Sequence, residues 1–332
     1  MLEKISRRKF VAAAAVASAS AVLRAPGFAF ENQSPGAAAA AGSMQKGREV
    51  VPLQAVPFRM SNVRLGPGAF SAAAAANRRY LKTLPPDRLL HTFRLTAGLP
   101  SSAEPLGDWE KPDCELRGHF VGGHYLSACA LAFASSGDEE LKHNGNIMVT
   151  ELAKCQAMLK NGYLSGFPQE LFDRLRDGVN VWAPFYTIHK IMARLLDMYL
   201  LAGNEQALAI LEKMARWAQG WTNPLSEQQI QRVLLVEYGG MGEVLADLYS
   251  VTGSREYLEL AQRFDKKSFF DPLAAHRDEL KGLHVNTHIP QVIAAARLYE
   301  LTGDKRYSNV ANYFWDEVTS ERSYCTGGTS NF

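Results

Sequence analysis

Four times along the chain an apolar stretch closes on a glycine and a polar residue, and a second stretch with apolar positions three and four apart then begins. The pattern occupies residues 130–138, 196–204, 246–254 and 296–304, with Phe133, Tyr199, Tyr249 or Tyr299 standing four residues before Gly137, Gly203, Gly253 or Gly303. These glycines lie 66, 50 and 50 residues apart, a period that signals an array of supersecondary units. Glycine supplies the left-handed residue that ends a helix, and Asp, Asn or Ser follows to start another, so each unit reads as a helical hairpin. Second helices are expected at about residues 140–159, 205–219, 255–266 and 305–318. Ala207, Ile210, Leu211 and Met214 give one of them a single apolar face, as an outer helix needs. First helices such as residues 291–301 are apolar nearly all round and are expected to form an inner layer, with Tyr199, Tyr249 and Tyr299 in the core. The pattern predicts an all-α toroid of hairpins, an (α/α) barrel. An open solenoid also has inner and outer faces and is the competing arrangement.

The chain has 332 residues and opens differently. Ser6-Arg7-Arg8-Lys9-Phe10 precedes an Ala/Val run at residues 11–22, and small residues surround a cleavage point after Ala29. Residues 1–29 read as a twin-arginine signal peptide, which predicts export to the periplasm or beyond. The apolar run is about 12 residues against the roughly 20 that span a bilayer, so it predicts no stable membrane anchor. Residues 30–50, rich in Ala, Gly, Ser and Gln, read as a low-complexity linker, and residues 51–332 as the folded domain. With 47% apolar and 21% charged residues the balance is globular, and the net charge of +2 includes no basic stripe of the kind that binds nucleic acid. Cys114, Cys129, Cys155 and Cys325 form no CxxC pair and have no histidine at metal spacing, so they read as buried free thiols, with a disulfide after export left open.

Alternation of the two layers puts every link from an outer helix to the next inner helix at one end of the array. His124, His189 and His288 lie nine, ten and eleven residues before Phe133, Tyr199 and Tyr299, so three inner helices carry histidine at nearly one level. Glu237-Tyr238-Gly239-Gly240 takes that place in the fourth unit. Around these fall Trp109, Glu110, Asp113, His119 and Tyr125 in one link, Trp182 and Tyr186 in another, and His284 and Asn286 in a third. Aromatic faces pack on the C–H surface of a sugar ring, and imidazole, amide and carboxyl groups pair with its hydroxyls, so this composition points to a sugar. The recurrence marks His189 and His288 as ligand contacts. His124 and His284 stay open between that role and a structural one, and His91, His143 and His276 read as structural. Only His284 and His288 are spaced as a metal-binding pair, which is too little to assign a metal.

Six segments share a further likeness. They are residues 113–119 (DCELRGH) with 123–128 (GHYLSA), residues 184–190 (PFYTIHK), 237–241 (EYGGM), 284–290 (HVNTHIP) and 324–328 (YCTGG). Together they resemble the catalytic domain of the β-L-arabinofuranosidase-like glycoside hydrolases, family 127 and its relative family 146, over residues 51–332. The resemblance implies an (α/α)6 barrel, usually followed by β-sandwich domains, and retaining hydrolysis of terminal β-L-arabinofuranosides in arabinose-containing glycans. It also implies a zinc-bound cysteine thiolate as nucleophile and a glutamate as acid and then base. In the family those residues follow the Thr326-Gly327-Gly328 segment, so here they are expected beyond Phe332. The resemblance thus carries over no catalytic residue and no zinc ligand, and Cys325 is not the nucleophile. It does carry over a sugar-contacting wall, best matched by His189 and His288, with Trp182, Tyr186, His284 and His124 nearby. Four hairpins and the opening of a fifth do not close a ring of six, which predicts a C-terminally truncated domain, inactive alone. Two other readings fit an incomplete α toroid. An unsaturated glucuronyl hydrolase or polysaccharide lyase would need an Asp pair or a Tyr/Arg/His set, and Asp113 and Asp247 do not obviously converge. A helical-repeat module that binds glycan without turnover needs neither.

Overall fold

The computed structural model describes residues 50–51 and 57–329, all within the compact unit 47–332. The signal peptide and linker expected at the N-terminus lie outside the described residues, apart from Val50. Four hairpins stand where the repeat predicts them. They pair α3 (Leu126–Ser136) with α4 (Glu139–Leu159), α6 (Pro184–Ala202) with α7 (Glu205–Thr222), α9 (Met241–Thr252) with α10 (Arg255–Arg263), and α12 (Val285–Thr302) with α13 (Lys305–Glu321). An earlier pair, α1 (Ala69–Lys82) and α2 (Pro86–Thr96), precedes them. It escapes the repeat because Thr83-Leu84-Pro85 replaces the glycine turn. Short helices α5 (Glu170–Arg176), α8 (Glu227–Val233) and α11 (Lys267–Ala274) fill the links.

The glycine signature works as a carbonyl cap. Gly137, Gly203, Gly253 and Gly303 have φ of 75°, 76°, 74° and 72°, and each donates its N–H to the carbonyl of the aromatic four residues earlier, at 2.7, 3.2, 2.7 and 2.8 Å. The next residue opens the outer helix: Asp138 accepts from the Leu141 amide and Asn204 from that of Ala207. Asp304 accepts from the Arg306 amide. Such side-chain caps satisfy amides that a helix start leaves free.

Helices α3, α6, α9 and α12 pack side by side in chain order as the inner layer, while α2, α4 and α7 follow one another outside. Leu126, Cys129, Ile188, Ile191, Leu195, Leu245, Leu248, Ala295 and Leu298 are buried between these layers. Tyr199, Tyr249 and Tyr299 pack against that core with part of each ring exposed. The inner helices are not apolar all round. Lys190, Arg194 and Asp197 of α6, Glu243 and Asp247 of α9, and Arg297 and Glu300 of α12 recur three or four residues apart, each partly exposed. Apolar residues cover the neighbouring helices, and the remaining face carries charge because nothing apolar packs on it. The stripe is internally paired: Ser127 donates to Asp197 at 2.7 Å, Arg194 also reaches Asp197 at 3.1 Å, and Arg297 binds Asp247 at 2.6 Å.

All four cysteines are free; Cys129 and Cys155 are buried as expected, but Cys114, in a link, is half-buried and Cys325, after the last helix, is exposed. Burial pushes the Cys129 thiol up to about 12 and that of Cys155 to about 11. Among the described residues no helix is long and apolar enough to cross a membrane.

The entry to α3 is a π-helical segment, His119–Tyr125. The carboxylate of Glu110, although buried, accepts from the amides of Gly118 at 2.7 Å and Phe120 at 2.6 Å. Gly118, at φ 94°, packs on the chain at Gly166, whose nitrogen would lie 2.9 Å from an added Cβ. Glu110 therefore holds the link rather than facing a ligand. Hydrogen bonds to a charged group contribute about 1.5–3 kcal/mol each. Glu110→Ala is expected to lower unfolding free energy by about 3 kcal/mol in urea titrations and to speed hydrogen exchange at the Gly118 and Phe120 amides.

Candidate functional site

The links converge on a mouth built mostly from rings. His119 stacks on Tyr186 with centroids 5.3 Å apart and planes 8° apart, and Tyr186 meets His189 edge-on at 4.9 Å. Trp109 stands against His119 at 5.5 Å and against Trp182 at 5.6 Å. His124 Nε2 lies 3.2 Å from His119 Nε2, so one ring donates and the other accepts. Trp182 is 48% exposed, leaving a face free, and its position is set from behind. Its amide donates to Glu115 Oε2 at 2.7 Å, and Arg174 holds the other oxygen at 3.0 Å. Ala183 then adopts φ 50°, a left-handed conformation costly for a residue with a Cβ, before Pro184 opens α6.

Opposite, Gly239 and Gly240 lead into α9. A Cβ on Gly239 would lie 2.3 Å from His189 Cε1 and 2.8 Å from the Tyr186 ring, so only glycine lets the backbone rest on both. Asn286 reaches Tyr186 from α12. Of the residues expected at the site, the structure brings Trp182, Tyr186, His189 and His124 together. His288 sits farther round, donating from Nδ1 to the His284 carbonyl at 2.8 Å while Nε2 faces Lys266 Nζ at 3.4 Å. Glu237 acts on both Tyr186 and Lys266, which places it between these two parts. His284 contributes its backbone to this arrangement, and its ring is exposed. His91 bonds Ser101 at 2.9 Å and His276 packs on Tyr313 at 5.0 Å, both away from the mouth.

The repeat pattern does not mark two residues of the mouth. Lys190 follows Tyr186 by one turn and lies over its ring, Nζ to centroid 5.1 Å. Glu243 follows Gly240 by three residues, and its carboxylate lies beside the same glycine that His189 touches. Helical spacing from Tyr186 and Gly240 is the available signal for both.

Burial sets the charges here. It holds His119 down at about 3 and His288 at about 4, and drives His189 well below its usual value, with Lys190 and Arg194 adding to the effect at His119 and His189. The imidazoles are therefore neutral at pH 7. Burial also raises Glu243 to about 7, helped by Asp247 and opposed by Arg194 and Lys190. Among the described residues no three His, Cys, Asp or Glu side chains converge as a metal requires.

These shifts predict a pH dependence of stability. His288 titrates near 4 when folded and near 6.5 when unfolded, so its contribution is complete above pH 6.5 and is lost as pH falls toward 4. Glu243 acts oppositely, with a folded value of about 7 above its ordinary 4.5: its contribution is complete below pH 4.5 and lost as pH rises to 7. Comparing wild type with His288→Asn cancels the Glu243 contribution. The stability difference between pH 7 and pH 4.5, from urea midpoints, is expected to be about 2–3 kcal/mol smaller in the variant.

The sequence pattern of the family described as the β-L-arabinofuranosidase GH127 catalytic domain matches residues 62–332. Among solved structures, a GH127 β-L-arabinofuranosidase from Geobacillus stearothermophilus T6 aligns with a TM-score of 0.58 at 20% identity, covering 81% of this chain and 47% of that one. Another, described as a GH127 β-arabinofuranosidase, aligns with a TM-score of 0.53 at 16% identity, covering 82% and 45%. At these identities the likeness is one of fold, and the chain spans about half the length of either structure. No curated protein matches it. The hairpin array has its counterpart in these structures and the family pattern runs through every link that builds the mouth, so the chain belongs to the GH127 β-L-arabinofuranosidase catalytic-domain family.

Proposed function

We propose that this domain is the sugar-contacting part of a glycoside hydrolase acting on terminal β-L-arabinofuranosides of arabinose-containing glycans. The observation that carries this reading is the family match over 62–332 together with a mouth of neutral imidazoles and partly exposed aromatics. Trp182 offers a face to the C–H side of a furanose, and Trp109 backs it edge-on. His124 and Tyr186, both partly accessible, can exchange hydrogen bonds with its hydroxyls, and His189 positions Tyr186 from beneath. His288 and His284 belong to the same wall in this reading, one helix farther round. No described residue is assigned the nucleophile or the acid/base. The zinc centre that the family implies does not fit the described residues. Cys129 and Cys155 are buried with their thiols held protonated, and Cys114 and Cys325 have no converging ligands among the described residues.

Export by the twin-arginine route, to the periplasm or outside the cell, is part of the same proposal. Ser6-Arg7-Arg8-Lys9-Phe10 and the short apolar run behind it support that part.

The test is calorimetric titration with methyl β-L-arabinofuranoside. Trp182→Ala is expected to weaken binding about tenfold, equivalent to about 1.4 kcal/mol, with an unchanged melting temperature because the ring is half exposed. His189→Ala is expected to abolish binding. Unchanged affinity in both variants would place the site elsewhere.

A further inference from the structure

Four carboxylates occupy the charged face of the inner layer, and three of them are matched. Asp197 takes Ser127 and Arg194, and Asp247 and Glu300 both take Arg297. Glu243, in the first turn of α9, receives no hydrogen bond and no ion pair among the described residues; burial and more distant charges alone act on it. Its location is specific. A Cβ on Gly240 would lie 3.1 Å from Glu243 Oε2 and 3.2 Å from His189 Cδ2, so carboxylate and imidazole flank one backbone atom at the foot of the mouth. Lys190 is in the same condition. Burial lowers its affinity for a proton and Glu243 partly restores it, yet the ammonium touches no carboxylate and lies over the Tyr186 ring. Both groups are partly exposed, and a carboxylate and an ammonium that act on each other without contact keep hydrogen-bonding positions for a polar guest.

We propose that Glu243 is a ligand-contacting, specificity-determining residue of this mouth, its two carboxylate oxygens receiving adjacent hydroxyls of a neutral sugar while Lys190 faces the same ring from α6. The inference rests on the sugar-site reading and deepens it. The charged groups around Glu243 are Lys190, Arg194 and Asp197 of α6 and Asp247 on its own helix, the last tied to Arg297 of α12. A carboxylate with both oxygens free favours two neighbouring hydroxyls and repels an acidic ligand, so the class selected is a neutral sugar with a free vicinal diol. The elevated proton affinity of Glu243 agrees with an enclosed carboxyl lacking donors.

The experiment is calorimetry of the full chain at pH 8, where Glu243 is ionised, with methyl β-L-arabinofuranoside and its 2-deoxy analogue as probes. Glu243→Gln is expected to weaken binding of the first by about 10- to 100-fold while the melting temperature holds or rises, because an enclosed charge has been removed. The 2-deoxy analogue is expected to bind wild type more weakly and to lose little further in the variant, since both changes delete the same contact. Unchanged affinity in Glu243→Gln while Trp182→Ala weakens binding overturns this inference and leaves the sugar site standing. Equal losses for both probes with a lowered melting temperature assign Glu243 to structure and also overturn it. Absence of binding by wild type removes the inference together with the reading it rests on.

Discussion

The arrangement depends on side-by-side burial of α3, α6, α9 and α12. Helices α6 and α9 each spend their apolar residues on two inner neighbours and one outer partner, as Ile188, Ile191 and Leu195 do on α6. Burying side chains of this size stabilises by about 1.5–3 kcal/mol each, so the layer dominates the energetics and leaves little freedom in the angle between hairpins. The glycine caps and Asp or Asn starts are secondary to it, but they make each hairpin reverse at a fixed residue. Reversal at one end keeps every outer-to-inner link at the other.

That constraint has a consequence for charge. Among the described residues the inner helices α6, α9 and α12 keep a partly exposed face, and there the chain places Lys190, Arg194, Asp197, Glu243, Asp247, Arg297 and Glu300. Most are paired with each other at hydrogen-bonding distance, which offsets much of the cost of drawing them out of water. The stripe turns an apolar toroid wall into a polar lining without weakening the contacts between helices.

The rings of the mouth are held from behind. Glu110 ties the π-helical segment, Glu115 ties the Trp182 loop, and Gly239 lies flat against His189 and Tyr186. A π-helical turn, a left-handed alanine and a glycine in contact with an imidazole each depart from local preference. Such departures persist where tertiary contacts over-determine the backbone, and here all three surround one concavity.

The sequence by itself determined the hairpins, their order and the end of the array where chemistry gathers, because these follow from short-range rules: the 3.6-residue period, the left-handed glycine and the capping residue. It also put His124, His189 and His288 at one level of successive inner helices; the fold groups the first two with Tyr186 and Trp182 and sets His288 one helix farther round. Tertiary structure alone decided what each polar residue does. Glu110 and Glu115 look as available for chemistry as Glu243 does in the sequence, yet backbone amides of its own link occupy Glu110, an amide 67 residues away occupies Glu115, and Glu243 is left without a hydrogen-bond partner among the described residues. His284 and His288 form one motif, but the fold uses the backbone of the first and the ring of the second. The first helix pair stayed hidden because a proline turn replaced the glycine that marks the others. Hydrogen-bond partners are set by which links meet in three dimensions, and residues 59 or 67 apart, as in Arg174 and Trp182 with Glu115, share no local pattern from which that meeting can be read.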